Sequence, residues 1–129
     1  KAHTYTTLSA PTISQFLGLR ALALPHTYIG KMVREYRRRR NLIVKRLNDM
    51  GLTTAMPRGA FYTFSNIKDF SKDSRKFAKN LLNNAKVAVV PGSDFGVYGE
   101  GYIRCSYATK YEMIEKAMNR LENFLRNRL

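Results

Sequence analysis

Arg104 is the residue of this sequence whose type and setting could do chemistry. It follows a segment, 91–101, that carries Gly92, Gly96, Gly99 and Gly101, and it stands inside a strand-like run, 102–108. In an extended run side chains alternate, so Tyr102, Arg104, Ser106 and Ala108 share one face and Ile103, Cys105 and Tyr107 the other. A guanidinium is a planar fork that grips a carboxylate through two parallel hydrogen bonds, which an ammonium cannot reproduce. A glycine-rich loop beside it could keep a cleft open. The plainer alternative is an edge-strand arginine facing water, its stem lying along the sheet. Spacing alone leaves both open.

The other candidates are weaker. The glycines of 92–101 expose backbone N–H groups that could cradle a phosphate, but the segment lacks a Lys-Ser/Thr end and leads into a strand, not a helix. It reads as a structural loop that must turn through positive φ. His3 and His26 are the only histidines, and with one cysteine they form no metal-ligand spacing, so no metal site is expected. Cys105 alternates away from Arg104 and reads as a buried, inert thiol. Ser9, Ser65, Ser93 and Ser106 have no histidine spaced to activate them. His3 and Tyr5 lie on a polar opening stretch and read as surface groups or as contacts to a neighbouring subunit.

The elements that must position Arg104 follow from periodicity. Pro11 suits the start of a helix over 12–24, whose apolar residues Ile13, Phe16, Leu17, Leu19, Leu22 and Leu24 cover most of its circumference. Such a helix has to be buried on more than one side, and Pro25 ends it. Thr27 is placed to cap a second helix, with Ile29, Met32, Val33, Tyr36, Ile43, Leu47 and Met50 at spacings of three and four, and Gly51 is a natural stop. A helix this long in a small chain suggests a connection between two parts of a larger body. Strands are expected at 52–56, 60–67 and 87–90, the last wholly apolar and therefore covered on both faces. Ser71 is placed to cap a helix reaching about Ala85, with Phe77, Leu81 and Leu82 inward. Thr109 and Glu112 form a capping-box pattern before a final helix whose stripe is Met113, Ile114, Ala117, Leu121, Phe124 and Leu125.

Composition narrows the classes. The 129 residues are 44% hydrophobic and 25% charged, an ordinary globular balance rather than a disordered one. One cysteine rules out an internal disulfide framework and fits a reducing compartment. No apolar stretch approaches the roughly 20 residues of a membrane span, so no membrane association is expected. The start, Lys1-Ala2-His3-Thr4, has no apolar leader core. Lys plus Arg is 23 and Asp plus Glu is 9, a formal net charge of +14. The base is concentrated at Arg34, Arg37, Arg38, Arg39, Arg40, Lys45 and Arg46 and again near the end. Such charge attracts nucleic acid without regard to sequence. No zinc-finger spacing, RNP-like motif or recognition-helix pattern accompanies it, so solvated helix faces are the expectation and nucleic acid is not the expected partner.

Three linked motifs carry a resemblance. Pro57-Arg58-Gly59-Ala60-Phe61-Tyr62 resembles the Pro-x-Gly-Ala-Phe-Tyr segment of the class I/II aminotransferases. Val89-Val90-Pro91-Gly92-Ser93-Asp94-Phe95-Gly96, followed by Gly99-Glu100-Gly101-Tyr102-Ile103-Arg104-Cys105-Ser106-Tyr107-Ala108, resembles that family's Pro-Gly-x-x-Phe-Gly…Gly…Arg-x-Ser-x-Ala signature. Leu8-Ser9-Ala10-Pro11-Thr12-Ile13-Ser14-Gln15 is similar to the stretch that follows the family's cofactor lysine. The resemblance covers essentially the whole chain in order. It implies the C-terminal segment of a fold-type I enzyme dependent on pyridoxal 5′-phosphate: an α/β architecture, with a small mixed or antiparallel sheet packed by helices and a long interdomain helix. It implies that 1–28 is the end of the large cofactor-binding domain and 29–129 the small domain. It implies that Arg104 binds the α-carboxylate of an amino acid substrate, of aspartate or aromatic type, exchanged against a 2-oxo acid in a cytoplasmic homodimer. Tyr5 and Thr6 become possible substrate or subunit-interface contacts.

The family also needs an imine-forming lysine, which in it precedes this segment. No lysine here has the Ser-Lys-x-x-x-x-x-Gly-x-Arg context, and Ser71-Lys72-Asp73 fails it. No catalytic residue is therefore assigned to this segment, which is expected to be inert alone and, without a large domain, to expose the apolar side of 12–24. The same small domain occurs on pyridoxal-phosphate lyases and synthases, which is the alternative within the fold. A basic nucleic-acid-binding module is the alternative outside it.

Overall fold

The computed structural model describes residues 9–127 and divides the chain into two compact units, Lys1–Val33 and Arg34–Leu129.

In the first unit, α1 spans Thr12–Leu22, with Pro11 at its N-cap. Gln15 Nε2 folds back to donate to the Ala10 carbonyl at 2.8 Å. The helix ends two residues before the expected position. Pro25 disfavours helical geometry in the residue before it, and Ala23 closes the last turn by donating to Leu19. No residue of α1 is buried, and Leu22 is 87% exposed. The all-round burial read from the sequence is thus not met among the described residues, whereas the expected exposed apolar patch is present.

The helix α2 spans Thr27–Asp49, 23 residues. Thr27 is its first residue rather than its cap; the carbonyls of Pro25 and His26 accept from Tyr28 and Gly30. The other end is a Schellman turn. Gly51, at φ +83°, donates to Asn48, and Leu52 donates to Leu47 at 2.9 Å. Glycine takes this left-handed geometry without steric cost, which is why the helix stops where the sequence places the stop.

The sheet of the second unit is antiparallel, in the order β1-β3-β2, with β1 at Tyr62–Asn66, β2 at Val90–Pro91 and β3 at Tyr102–Ser106. Phe64 pairs with Arg104 and Val90 also pairs with Arg104, so β3 is central and Arg104 is not on an edge strand. Three strand expectations change. Residues 52–56 make only an isolated bridge, Thr54 to Ser65, because the Asn48 side chain takes both the N–H and the carbonyl of Thr54. The strand expected at 60–67 is shorter, since Ala60 adopts φ +56°. The strand expected at 87–90 shrinks to Val90–Pro91, and it is not covered on both faces: Ala88 is exposed and Val90 half-buried. Proline has no N–H to extend the ladder.

Two helices complete the unit. The helix α3, Ser74–Ala85, is capped by Asp73, whose carboxylate accepts from Lys76 N–H at 2.8 Å. Ser71, the expected cap, instead bonds the backbone of Asp73 and sets up the turn before it. The helix α4, Tyr111–Arg126, has Lys110 at its N-cap with no side-chain bond, so the Thr109–Glu112 capping box does not form. Leu82 and Met113, placed inward by periodicity, are about half exposed, at 48% and 53%.

One face of the sheet carries Thr63, Ser65, Ile103 and Cys105 into the core. There they meet Ile43 and Leu47 of α2, Phe77 and Leu81 of α3, and Ile114 and Leu121 of α4. Each such large apolar side chain contributes about 1.5–3 kcal/mol on burial. The other face of the sheet carries Tyr62, Phe64, Asn66, Tyr102, Arg104 and Ser106, each half-buried or exposed.

Candidate functional site

Arg104 is half-buried at the middle of that second face. Its guanidinium carbon lies 4.2 Å from the centroid of the Tyr62 ring and 4.8 Å from that of Phe95, over both rings. Tyr62 reaches it from the neighbouring strand and Phe95 from the loop. Phe95 is held in turn: Phe64 stands edge-on to it at 6.0 Å, and Phe64 stacks on Tyr102 at 5.1 Å. Such contacts attract a guanidinium through the ring quadrupole.

Comparison with the other arginines sharpens the picture. Four of the described arginines are half-buried. Arg39 donates to Glu35 at 2.8 Å, Arg40 to the Pro57 carbonyl at 3.1 Å, and Arg46 to Glu122 at 3.0 Å. Arg104 alone of the four has no oxygen partner among the described residues; it has only the rings. A half-buried fork with unmatched donors is costly unless something supplies an acceptor. Much of the basic run on α2 is accounted for internally. Arg38 lies over the Tyr111 ring at 3.8 Å and Lys45 pairs with Asp49. Arg34 and Arg37 remain exposed.

The loop that delivers Phe95 is closed by two glycines. Gly92 and Gly99 pack backbone to backbone, so that a Cβ on either would collide with the carbonyl of the other. Gly96 and Gly101 take φ +101° and +82°, as the sequence expects of a sharply turning segment. Glu100 then ties the loop to α3: its carboxylate accepts from the N–H of Ser74 at 2.7 Å and of Gly101 at 2.9 Å. These two backbone donors hold its carboxyl below the ordinary range. Ser74 Oγ donates to Ser93 Oγ at 3.1 Å, and Arg75 pairs with Asp94 at 2.5 Å. These contacts fasten the loop that carries the ring beside Arg104.

Below the ladder, Cys105 faces the core, and burial pushes its thiol up to about 11. That holds it in the protonated, weakly nucleophilic form. Thr63, its cross-strand partner, buries a hydroxyl with no nitrogen or oxygen partner, leaving the weakly polar thiol beside it. His26 is exposed, and the described residues contain no cluster of His, Cys, Asp and Glu that could hold a metal. Tyr5 and Thr6, the possible substrate contacts, lie outside the described residues, as does His3. Sequence reasoning missed Tyr62, Phe95 and Glu100 as partners of the site. Each acts across the sheet or loop, and the only signal was the alternation of aromatic residues on β1.

The described lysines are all exposed. An imine-forming lysine needs a desolvated or charge-tuned pocket to be reactive. Among the described residues, no lysine has such a setting.

The family model for aminotransferase class I and II matches residues 2–121, and the chain belongs to that family. It is 50% identical over 125 residues to a putative aminotransferase, YugH, of Bacillus subtilis, covering 97% of this chain and 32% of that protein. It is 48% identical over 130 residues to an aspartate aminotransferase of Pyrococcus abyssi, covering 99% of this chain and 33% of that one. Among solved structures, an aromatic aminotransferase from Pyrococcus horikoshii superposes with a TM-score of 0.77 at 54% identity, over 79% of this chain and 27% of that one. The chain thus spans about a third of the length of the curated relatives it matches. Its helices and small antiparallel sheet match the C-terminal domain of fold-type I aminotransferases. No helix among the described residues is long and apolar enough to cross a membrane.

Proposed function

We propose that this chain is the C-terminal part of a pyridoxal-phosphate-dependent aminotransferase and that Arg104 binds the α-carboxylate of its amino acid and 2-oxo acid substrates. The observation that carries the reading is the unmatched fork: a half-buried guanidinium in a central strand, faced by two rings and by no carboxylate among the described residues. A substrate carboxylate supplies the missing acceptors in the plane of the guanidinium. Held there, the amino acid is oriented before chemistry starts, which converts an encounter into a positioned reaction.

Residues 1–28 are assigned to the end of the large domain and 29–129 to the small domain. Pyridoxal 5′-phosphate, which the family implies, is assigned to residues outside those described, and the whole protein to a cytoplasmic homodimer. The substrate class is aspartate or aromatic amino acids; relatives bearing both names support it. Tyr5 and Thr6 are assigned, in the same reading, to substrate or subunit-interface contacts.

The test is Arg104→Ala in the full-length enzyme, assayed with aspartate and with phenylalanine against 2-oxoglutarate. The expected loss in kcat/KM is at least about thirty-fold, the equivalent of the roughly 2 kcal/mol lower bound for truncating one side of a buried charge pair. A kcat/KM near the wild-type value with both donors would overturn the assignment.

A further inference from the structure

We infer that Tyr62 and Phe95 are positioning residues that hold the Arg104 guanidinium by its flat face and leave its edge for the substrate carboxylate. The inference rests on the reading of Arg104 given above: the arginine is kept ready with no acceptor among the described residues. A guanidinium has two chemically different surfaces. Its faces are poorly hydrated and take aromatic rings; its edge carries the N–H donors. A second protein carboxylate would fix the side chain but would occupy the edge. Rings over the guanidinium fix it without competing for a single donor.

The arrangement meets that requirement. The guanidinium carbon lies over the Tyr62 ring at 4.2 Å and over the Phe95 ring at 4.8 Å. The rings come from independent elements. Tyr62 starts β1, whose register places Phe64 directly opposite Arg104. Phe95 ends the single turn Gly92–Phe95. The loop is built around that placement: the glycine contact closes it, the Arg75–Asp94 ion pair and Glu100 fasten it to α3, and Phe64 supports the ring edge-on. Phe95 is nevertheless 50% exposed, so solvation alone does not account for its position. The ring is positioned against Arg104 rather than packed into the core.

The experiment is performed on the full-length enzyme with its cofactor. Its readout is the ratio of kcat/KM for phenylalanine to kcat/KM for phenethylamine, the same molecule without the α-carboxylate. This ratio isolates the carboxylate interaction, and a change that only loosens the fold does not move it. Tyr62→Leu and Phe95→Leu each remove a ring. Each is expected to lower the ratio about three- to thirty-fold, the span that corresponds to the strength of a partly desolvated cation–π contact. Tyr62→Phe and Phe95→Tyr keep the ring and are expected to keep the ratio within about two-fold of wild type, since the ring face is what the guanidinium meets. Thermal melting accompanies each variant, and Phe95→Met replaces Phe95→Leu if the latter does not fold. Arg104→Ala is run beside them. If it collapses the ratio while the leucine variants retain it, the positioning role is overturned and the carboxylate assignment stands. If Arg104→Ala itself leaves the ratio unchanged, both fall together.

Discussion

The Tyr107 hydroxyl donates a 3.0 Å hydrogen bond to the carbonyl of Ala60, a residue held at φ +56°. The Tyr107 N–H donates to the Phe61 carbonyl beside it, and Arg40 reaches the carbonyl of Pro57 from α2. The Pro57-Arg58-Gly59-Ala60 turn is therefore fastened from the residue just after β3 and from the long helix. Directly after it come Phe61 and Tyr62, so the fastening sets where the Tyr62 ring meets Arg104. Burial raises the Tyr107 phenol above its ordinary value, which keeps it a donor across the neutral range.

Tyr107→Phe removes that donor from the Ala60 carbonyl. A loss of about 0.5–1.5 kcal/mol in unfolding free energy is expected, the usual net size of an intramolecular hydrogen bond whose acceptor water can reach. Denaturant unfolding of wild type and variant measures it. An unchanged midpoint would mean that the turn is held by its backbone alone.

Gly92→Ala and Gly99→Ala should each be severely destabilising. Neither glycine needs a positive φ; both need the absence of a side chain, because the two backbones touch. A colliding Cβ can be relieved only by moving one backbone away from the other, and a loss above about 3 kcal/mol, or failure to accumulate folded protein, is expected. Gly96→Ala tests a different cost, since its Cβ meets nothing but its φ is +101°. With ψ at 179° Gly96 occupies a region that is essentially glycine-only, and its penalty should be about 1–3 kcal/mol. A ranking in which Gly96→Ala is the worst of the three would contradict the close-packed loop.

Glu100 links the loop to acid stability. Its carboxyl is lowered from an ordinary 4.5 by the Ser74 and Gly101 backbone donors. A carboxylate with a depressed native value stabilises the fold above its unfolded value. That contribution is lost as pH falls from about 4.5 through the lower native value. Glu100→Gln should therefore reduce stability at pH 7 and flatten the acid side of the pH–stability curve. Unfolding midpoints measured from pH 7 down to pH 3 decide it, and parallel curves for the two proteins would rule the linkage out.

Cys105 gives a test of core integrity. With its thiol raised from 9.0 to about 11, folded protein should resist a disulfide reagent at pH 8 and react on unfolding. In the native protein the raised value favours the neutral form. Stability held below pH 9 is then lost as pH rises from about 9 toward 11, where the unfolded thiol ionises first. Labelling in native buffer at the rate of the denatured chain would contradict the burial.

Much of this domain is legible in one dimension. Alternation over 102–108 places Arg104 and Cys105 on opposite faces, because the side-chain period of a strand allows no other result. The three- and four-residue spacing from Ile29 to Met50 gives the long helix, and Gly51 ends it because a left-handed residue is needed there. Local sequence was less reliable at element ends. The caps expected at Ser71 and Thr109 moved, and the strand expected at 52–56 dissolved into a bridge once Asn48 took the backbone of Thr54.

The state of Arg104 was decided by tertiary structure. Its two rings lie on another strand and on a loop, and Phe95 reaches it only because Gly92 meets Gly99 and because Glu100 bonds Ser74 across 26 residues of chain. Periodicity reports which face a side chain takes, since that depends on near neighbours. Whether an arginine on that face finds an acceptor, or is left with its donors unmatched, depends on distant residues that only the folded chain brings together.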